Sequence, residues 1–450
     1  MRIFRCKTRF AFLLGLSLLS ALPGLAAVPA PTAAAPATAP ANSPWRIFLL
    51  TFGPGDAVYE QFGHNAILVE NERTRSSEAF NYGLFDWSQD DFIPRFIQGR
   101  MLYWMEPSPG PQTLNQYVLS DRSIIIQELN FSPIQRQRLV DFLNWNAAEP
   151  NNQYRYDYYA DNCSTRVRDA LDKAADGQIR QQLQSIRTGV TYRWHTRRIC
   201  AYNPLLYTAL DAVLGPYVDR ELSAWDESFL PHKLQEHLRT VTIDNAAGQR
   251  IPLVMSERTL YTSSRPPQRT EPPNWLPIYL LIGSLMGTGF FWLARRAPRH
   301  RWSRRGLMAV SGAWLLLIAL SGSLFLFIWL FTDHASAYRN ENLLQFNPLA
   351  LPLAILVPLL ARRARSRSAE PAPAASDPAR QSRPAPPWIN FTWILSLLLL
   401  AGSLAGLLIQ TIPGFNQVNG QMIAFLLPAH LGLAMAVWSL RARAIEPPIG

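Results

Sequence analysis

Five apolar stretches, near residues 275–294, 307–331, 343–360, 389–411 and 421–440, do most to limit what this chain can fold into. About 20 apolar residues in a helix match the thickness of a bilayer core. Lipid offers the backbone no hydrogen-bond partner, so such stretches must be helical. The third is the weakest, with Pro348, Pro352, Pro358 and Asn347 inside it. The charges argue for it all the same. Arg295, Arg296, Arg299, Arg301, Arg304 and Arg305 follow the first span. Arg362, Arg363, Arg365, Arg367, Arg380 and Arg383 follow the third, and Arg441 and Arg443 follow the fifth. Five spans put all these arginines on one face, the cytoplasmic one, whereas four would strand the middle cluster outside. These arginines, less Glu370, Asp377 and Glu446, account for the whole net charge of +11. The high isoelectric point therefore reports topology, and nucleic acid is not an expected partner. Trp275 and Trp388 stand at span ends, as interfacial aromatics do.

With the spans oriented this way, everything before residue 275 lies outside the cytoplasm, together with 332–342 and 412–420. The N-terminus agrees. Arg2, Arg5, Lys7 and Arg9 precede the apolar run Phe10–Leu22 and small residues to Ala27, the pattern of a secretory signal peptide over 1–27. Residues 28–44 form an Ala/Pro-rich linker. A soluble-looking domain occupies 45–262, a Pro-rich linker 263–274, the membrane domain 275–440 and a cytoplasmic tail 441–450. Period-two patterns predict strands at Trp45–Phe52, Phe62–Glu70, Glu78–Gly83 and Ser123–Leu129. Ser132 and Pro133 open a helix running to about Asn146. Residues 178–240 read mainly as helix and 241–262 as a short β-rich end. In the aromatic-rich stretch 85–105, Phe92, Ile93, Phe96 and Ile97 share one helical face, either core-facing or turned to the membrane surface.

The chemistry centres on Tyr158–Asp169, YYADNCSTRVRD. Asp161 and Asn162 are N-cap residues, and Val167, Ala170, Leu171 and Ala174 repeat at helical spacing, so Cys163 sits at a helix start. Arg168 with Asp172, and Asp169 with Lys173, are spaced for i,i+4 pairs. The helix dipole predicts a thiol lowered toward neutrality. Two readings stand: a nucleophile, or a half-buried structural cysteine. Cys6 falls in the signal peptide, so Cys200 is the remaining disulfide candidate for Cys163. His64, on the second strand, is the natural base and acid for a thiol nucleophile; its alternative is a core-facing histidine. Asn81 and Tyr82, on the next strand, are candidates to orient the imidazole and to donate to an oxyanion, or simply to pack. The N–H groups of Cys163 and Ser164 are candidate oxyanion donors. Metal ligation is not expected: His232 and His237 are five apart and miss the helical i,i+4 spacing.

Three motifs, Phe62-Gly63-His64-Asn65-Ala66, Asn81-Tyr82-Gly83 with Phe85-Asp86, and Asp161-Asn162-Cys163-Ser164-Thr165-Arg166 with Asp169, resemble the motif series of the Lnb-type periplasmic domain. The likeness spans about 45–262. The membrane helices, with Asp333-His334 and Asn342…Asn347-Pro348 between the second and third spans, also fit that family's architecture. The family is in turn similar to permuted papain-like thiol enzymes, including lecithin–retinol-type acyltransferases. The resemblance implies an α+β permuted papain-like periplasmic domain on an all-α membrane domain of about five transmembrane helices in the bacterial inner membrane. It implies lipoprotein N-acylation without a cofactor. An acyl chain would pass from a phospholipid donor through a Cys163 thioester to the α-amine of a diacylglyceryl-cysteine lipoprotein. His64, Asn81 and Tyr82 would serve catalysis, while Asn162, Ser164 and Asn65 would support substrate or oxyanion. Two rivals remain: a membrane-anchored cysteine peptidase or amidase acting on cell-wall peptides, and a non-catalytic envelope assembly protein with Cys163 bonded to Cys200.

Overall fold

A computed structural model describes residues 43–245, 247–369 and 386–445, without the side chains of 365–369. The signal peptide, nearly all of the 28–44 linker, Arg380, Arg383 and the last residues of the tail lie outside the described residues.

The N-terminal part is built on one antiparallel sheet. Its strands are β1 (Trp45–Phe52), β2 (His64–Asn71), β3 (Ser76–Leu84), β4 (Leu102–Pro109), β5 (Ile124–Leu129), β6 (Gln153–Arg155) and β7 (Val254–Tyr261). They lie in the order β7-β5-β1-β2-β3-β4-β6. The register pairs Leu49 with Ile67 and Ala66 with Asn81. Alternation then sends Ile47, Leu49, Ile67, Val69, Phe80 and Tyr82 to one face, and Phe48, Leu50, Ala66, Leu68 and Ala79 to the other. Both faces are covered, which is why β1 reads as a continuous apolar run. Helices α3 (Pro133–Ala147) and α4 (Cys163–Ala174) pack on the first face. Helix α2 (Gly110–Leu119) closes the second with Leu114 and Tyr117. Each fully buried Ile or Leu here contributes about 1.5–3 kcal/mol of transfer free energy. Helix α1 (Phe92–Gln98) stands at the sheet's edge and ends on Gly99, whose φ is +69°.

Between α4 and β7 come α5 (Gln178–Leu183), α6 (Tyr192–Ile199), α7 (Pro204–Val213), α8 (Ala224–Glu227) and α9 (Pro231–Leu238). Their anchor is Arg193, 1 % exposed in its side chain, paired with the buried Asp211 and Asp219.

The C-terminal part is helical: α10 (Leu276–Arg296), α11 (Arg301–Phe331), α12 (Ala350–Ala369), α13 (Pro387–Leu408) and α14 (Gly420–Ile445). Among the described residues, four helices are long and apolar enough to cross a membrane: α10, α11, α13 with its last turn to Thr411, and α14. α12 differs from the expected third span. It starts at Ala350 rather than near 343, because Glu341–Leu344 form a separate 3₁₀ turn ahead of Asn347-Pro348, and its second half carries the arginines. α10 and α14 cross closely through small residues. A Cβ on Gly283, Gly287 or Gly432 would lie within 2.2 Å of a carbonyl oxygen of the facing helix.

Polar contacts fix the sheet part to the outer loops of the helical part. Asn340 Nδ2 donates to the Ala212 and Val213 carbonyls, Gln417 Nε2 to that of Leu214, and Tyr207 Oη to Gln421. A second clamp joins α1 to the turn after α11. Asp333 N–H donates to the Gln98 carbonyl, and its carboxylate meets Arg100 at 2.8 Å and Arg155 at 3.1 Å.

Candidate active site

Helix α4 begins where its sequence dictates. Asn162 caps it, its Oδ1 accepting from the Ser164 and Thr165 N–H groups, both at 2.9 Å. The same amide donates through Nδ2 to the Tyr158 and Phe229 carbonyls, both at 3.0 Å. Ser164 Oγ lies 2.8 Å from Asn65 Oδ1 and 2.8 Å from the Ser228 carbonyl. Asn65, fully buried, donates to the Leu50 carbonyl and to Thr51 Oγ1. A polar net thus ties the helix start to β1 and β2. The i,i+4 pairs expected further along α4 do not form. Arg168 turns inward to the Trp225 carbonyl at 2.7 Å and to neighbouring Asp169, and Lys173 lies over the Phe142 ring.

This net sets Cys163, half-buried, against the ends of β2 and β3. The backbone N–H of Asn65, the residue after His64, favours the thiolate form of Cys163. A Cβ on Gly83 would stand 3.2 Å from Cys163 Cβ, and Gly83 has a φ of +90°. Only glycine meets both conditions without strain. Continuing the β2–β3 register two residues beyond the Ala66–Asn81 pair puts Gly83 opposite His64.

His64 Nε2 lies 3.3 Å from Asn81 Oδ1. Asn81 Nδ2 is already donating to the Ala79 carbonyl and to Ser108 Oγ, so its Oδ1 must accept. The imidazole therefore carries its proton on Nε2 and keeps a lone pair on Nδ1. Its ring lies beside the stacked Phe52–Tyr117 pair and near parallel to both, with centroids 5.9 and 6.0 Å away. Burial, then the Arg122 charge, lower its pKa to about 4. Burial likewise pushes the Cys163 thiol above its ordinary value, outweighing the N–H groups around it. The dipole-based expectation of a lowered thiol is corrected: desolvation dominates at this helix start. The resting pair is neutral thiol and neutral imidazole, and no hydrogen bond joins them.

The other predicted residues fall as follows. Tyr82 faces away from Asn81 into the core under α3, 1 % exposed, its hydroxyl donating to Asn146 Oδ1 at 2.8 Å. It packs, and it orients neither imidazole nor oxyanion. The Ser164 N–H is occupied by the Asn162 cap, so it does not supply the oxyanion donor expected of it. Cys163 and Cys200 are both free thiols, and Cys200 is buried in the core shared with the membrane helices, so the disulfide reading is overturned. His195 and His237 both bond Glu227, at 2.9 and 2.6 Å.

Sequence reasoning missed Arg122. It is 5 % exposed, donates to the Gly53 carbonyl and Glu60, and lies over the Tyr117 ring, while its Nη2 has no partner among the described residues. Its charge favours the thiolate at Cys163 and opposes protonation of His64. Its only sequence signal is a lone arginine before β5.

A chain of aromatic rings leads from the thiol's surroundings to the membrane side. Tyr156 stacks on Tyr103 at 4.2 Å and Tyr103 on Phe85 at 5.0 Å, while Tyr158 stacks on His334 at 6.4 Å. On α1, Phe92 is buried, whereas Ile93, Phe96 and Ile97 are exposed beside the outer end of α11. The His334 ring lies 2.9 Å from the Phe96 carbonyl through Nε2.

Residues 37–200 match the family described as Lnb N-terminal periplasmic domain, and residues 285–370 match the Lnb transmembrane domain. Together they cover more than half of the chain. No curated protein and no solved structure matches it. The two domain matches, four membrane-length helices and a sheet part clamped to their outer loops identify a multi-pass membrane protein with a periplasmic domain, and the chain belongs to the Lnb-type family.

Proposed function

We propose that the protein is a lipoprotein N-acyltransferase of the bacterial inner membrane. The reading rests on Cys163, set at a helix start against the ends of the strands that carry His64 and Asn81, in a domain held on the outer ends of membrane helices. We read the sheet part as a permuted papain-like thiol fold, and α12 as a fifth span, which keeps the arginine clusters on the cytoplasmic side.

The chemistry follows from the resting protonation states. A phospholipid ester carbonyl enters beside Cys163. His64 Nδ1 takes the thiol proton as the sulfur–carbon bond forms, so no free thiolate need accumulate. The tetrahedral intermediate collapses, the carbon–oxygen bond breaks, and the imidazolium returns the proton to the departing lysophospholipid oxygen. The acyl chain is left as a Cys163 thioester. The free α-amine of a diacylglyceryl-cysteine then attacks. His64 takes a proton from that amine and returns it to the sulfur as the carbon–sulfur bond breaks. Asn81 holds the imidazole in the tautomer this sequence requires, the part played by the third member of a catalytic triad. Both substrates are lipids, and the exposed Ile93, Phe96 and Ile97 give the site an apolar edge toward the bilayer. That edge favours a lipid acyl donor over a cell-wall peptide.

The test is to express the chain in cells lacking their own N-acyltransferase and weigh lipoprotein N-termini by mass spectrometry. Triacylated N-termini are expected. Diacyl-only products, or undiminished triacylation with Cys163→Ser, would sink the reading.

A further inference from the structure

An acyl transfer through Cys163 places negative charge on the ester oxygen, and that oxygen needs donors already in position. The N-cap leaves few. Asn162 occupies the Ser164 and Thr165 N–H groups, and the Arg166 N–H bonds the Asn162 carbonyl. The Cys163 N–H alone in this first turn makes no hydrogen bond to another residue among those described.

The second donor comes from the sheet. Tyr154, on β6, is 7 % exposed, and its hydroxyl has no hydrogen-bond partner among the described residues. A buried hydroxyl left unpaired destabilises the fold, so its retention asks for a reason. Its ring is held firmly: the Arg166 guanidinium lies 4.2 Å over one face, and Tyr82 meets it at 6.3 Å between centroids, at a steep angle. The hydroxyl ends 3.8 Å from where a Gly83 Cβ would be, and that point is 3.2 Å from Cys163 Cβ. The Tyr154 hydroxyl and Cys163 Cβ thus flank the gap that Gly83 keeps open. Among ionisable groups, Cys163 perturbs Tyr154 most strongly, and burial keeps the phenol protonated, as a donor must be.

We infer that Tyr154 is a catalytic residue whose hydroxyl, with the Cys163 N–H, donates to the oxyanion formed when Cys163 attacks an ester carbonyl. As the sulfur–carbon bond forms, the carbonyl π pair moves onto oxygen, and Tyr154 Oη–H and Cys163 N–H take up that charge. When the intermediate collapses the pair returns, and the hydroxyl keeps its proton throughout.

The inference rests on the thioester reading, and the test separates the two. Full-length enzyme in detergent is mixed with phosphatidylethanolamine, and Cys163 acylation is followed by intact mass in a single turnover. Iodoacetamide alkylation of Cys163, which forms no oxyanion, is measured in parallel. Tyr154→Phe keeps the ring and its Arg166 and Tyr82 contacts. It is expected to slow acylation about 10²-fold, with alkylation and the phospholipid KM unchanged. Acylation within threefold of wild type overturns the inference and leaves the thioester reading intact. So does an equal loss in both reactions, which marks a structural role. No adduct on the wild-type enzyme overturns both. Should Tyr154→Phe fail to fold, 3-fluorotyrosine at this position, similar in shape and a stronger donor, must change acylation without changing alkylation; equal effects or none overturn the inference.

Discussion

Asn162→Ala perturbs the site through its scaffold, and the structure sets the size of the effect. Asn162 is 6 % exposed and makes four side-chain hydrogen bonds, two accepted at the helix start and two donated to the Tyr158 and Phe229 carbonyls. Losing the cap costs about 1–2 kcal/mol. Stranding the two carbonyls, one of them in a buried bond, adds about 1–3 kcal/mol. The sum, about 2–5 kcal/mol, corresponds to a melting shift of about 4–20 °C for a domain of this size. Asn162→Asp retains both acceptors and loses both donations, so it is expected to lose about half as much. The assay is a thermal melt of full-length protein in detergent, followed by tryptophan fluorescence, since Trp225 packs in the core that receives α4. Cys163 alkylation should become faster in Asn162→Ala, as a loosened helix start exposes the thiol. A melting shift under 2 °C with unchanged alkylation would refute the claim that this amide fixes Cys163.

Further expectations concern the site and its clamp. Cys163 sits above the ordinary thiol value, so iodoacetamide alkylation should climb about tenfold per pH unit from pH 7 to 9. A plateau already reached at pH 6–7 would reveal a thiolate–imidazolium pair and contradict the neutral resting state. His64 is lowered from 6.5 to about 4 in the folded state, so its contribution to stability is present above pH 6.5 and lost as pH falls toward 4. Melting curves of His64→Gln across that window should show a shallower loss than wild type. Asn81→Ala frees the imidazole to turn, and acyl-adduct formation should fall 10- to 100-fold with a melting shift of only a few degrees; an unchanged rate would remove Asn81 from its orienting role. A Gly99→Ala side chain would meet the His334 nitrogen at 2.8 Å in a left-handed backbone. It should part α1 from the outer loop and raise the phospholipid KM more than it changes the iodoacetamide rate.

Much of the frame was legible because it follows from periodicity and capping. Strands β1, β2, β3 and β5 begin and end within about two residues of their patterns, and Asn162 and Ser132 cap the helices they were expected to cap. β4 and α2 escaped, because Leu102–Pro109 ends in Pro-Ser-Pro and Gly110 follows, which reads as a break, and α2 carries only a weak apolar stripe. Within the site, the pairing of His64 with Asn81 rests on β2–β3 register, which the sequence suggests. The inward turn of Tyr82 and the approach of Tyr154 depend on which face each strand buries and on a three-residue edge strand, β6, that carries no pattern of its own. The rise of the Cys163 thiol was hidden for a related reason. A helix dipole can be read from a cap, whereas desolvation depends on everything packed around it.

The central claim is that Cys163 takes an acyl chain from a phospholipid. Incubating the full-length protein with phosphatidylethanolamine of one acyl composition, then weighing the peptide that contains Cys163, tests it directly. A mass increase equal to one acyl group, absent from Cys163→Ala, greatly reduced in His64→Gln and discharged by a diacylated lipopeptide, is the predicted result. An unmodified Cys163 in protein that transfers acyl chains to the lipopeptide would contradict the account.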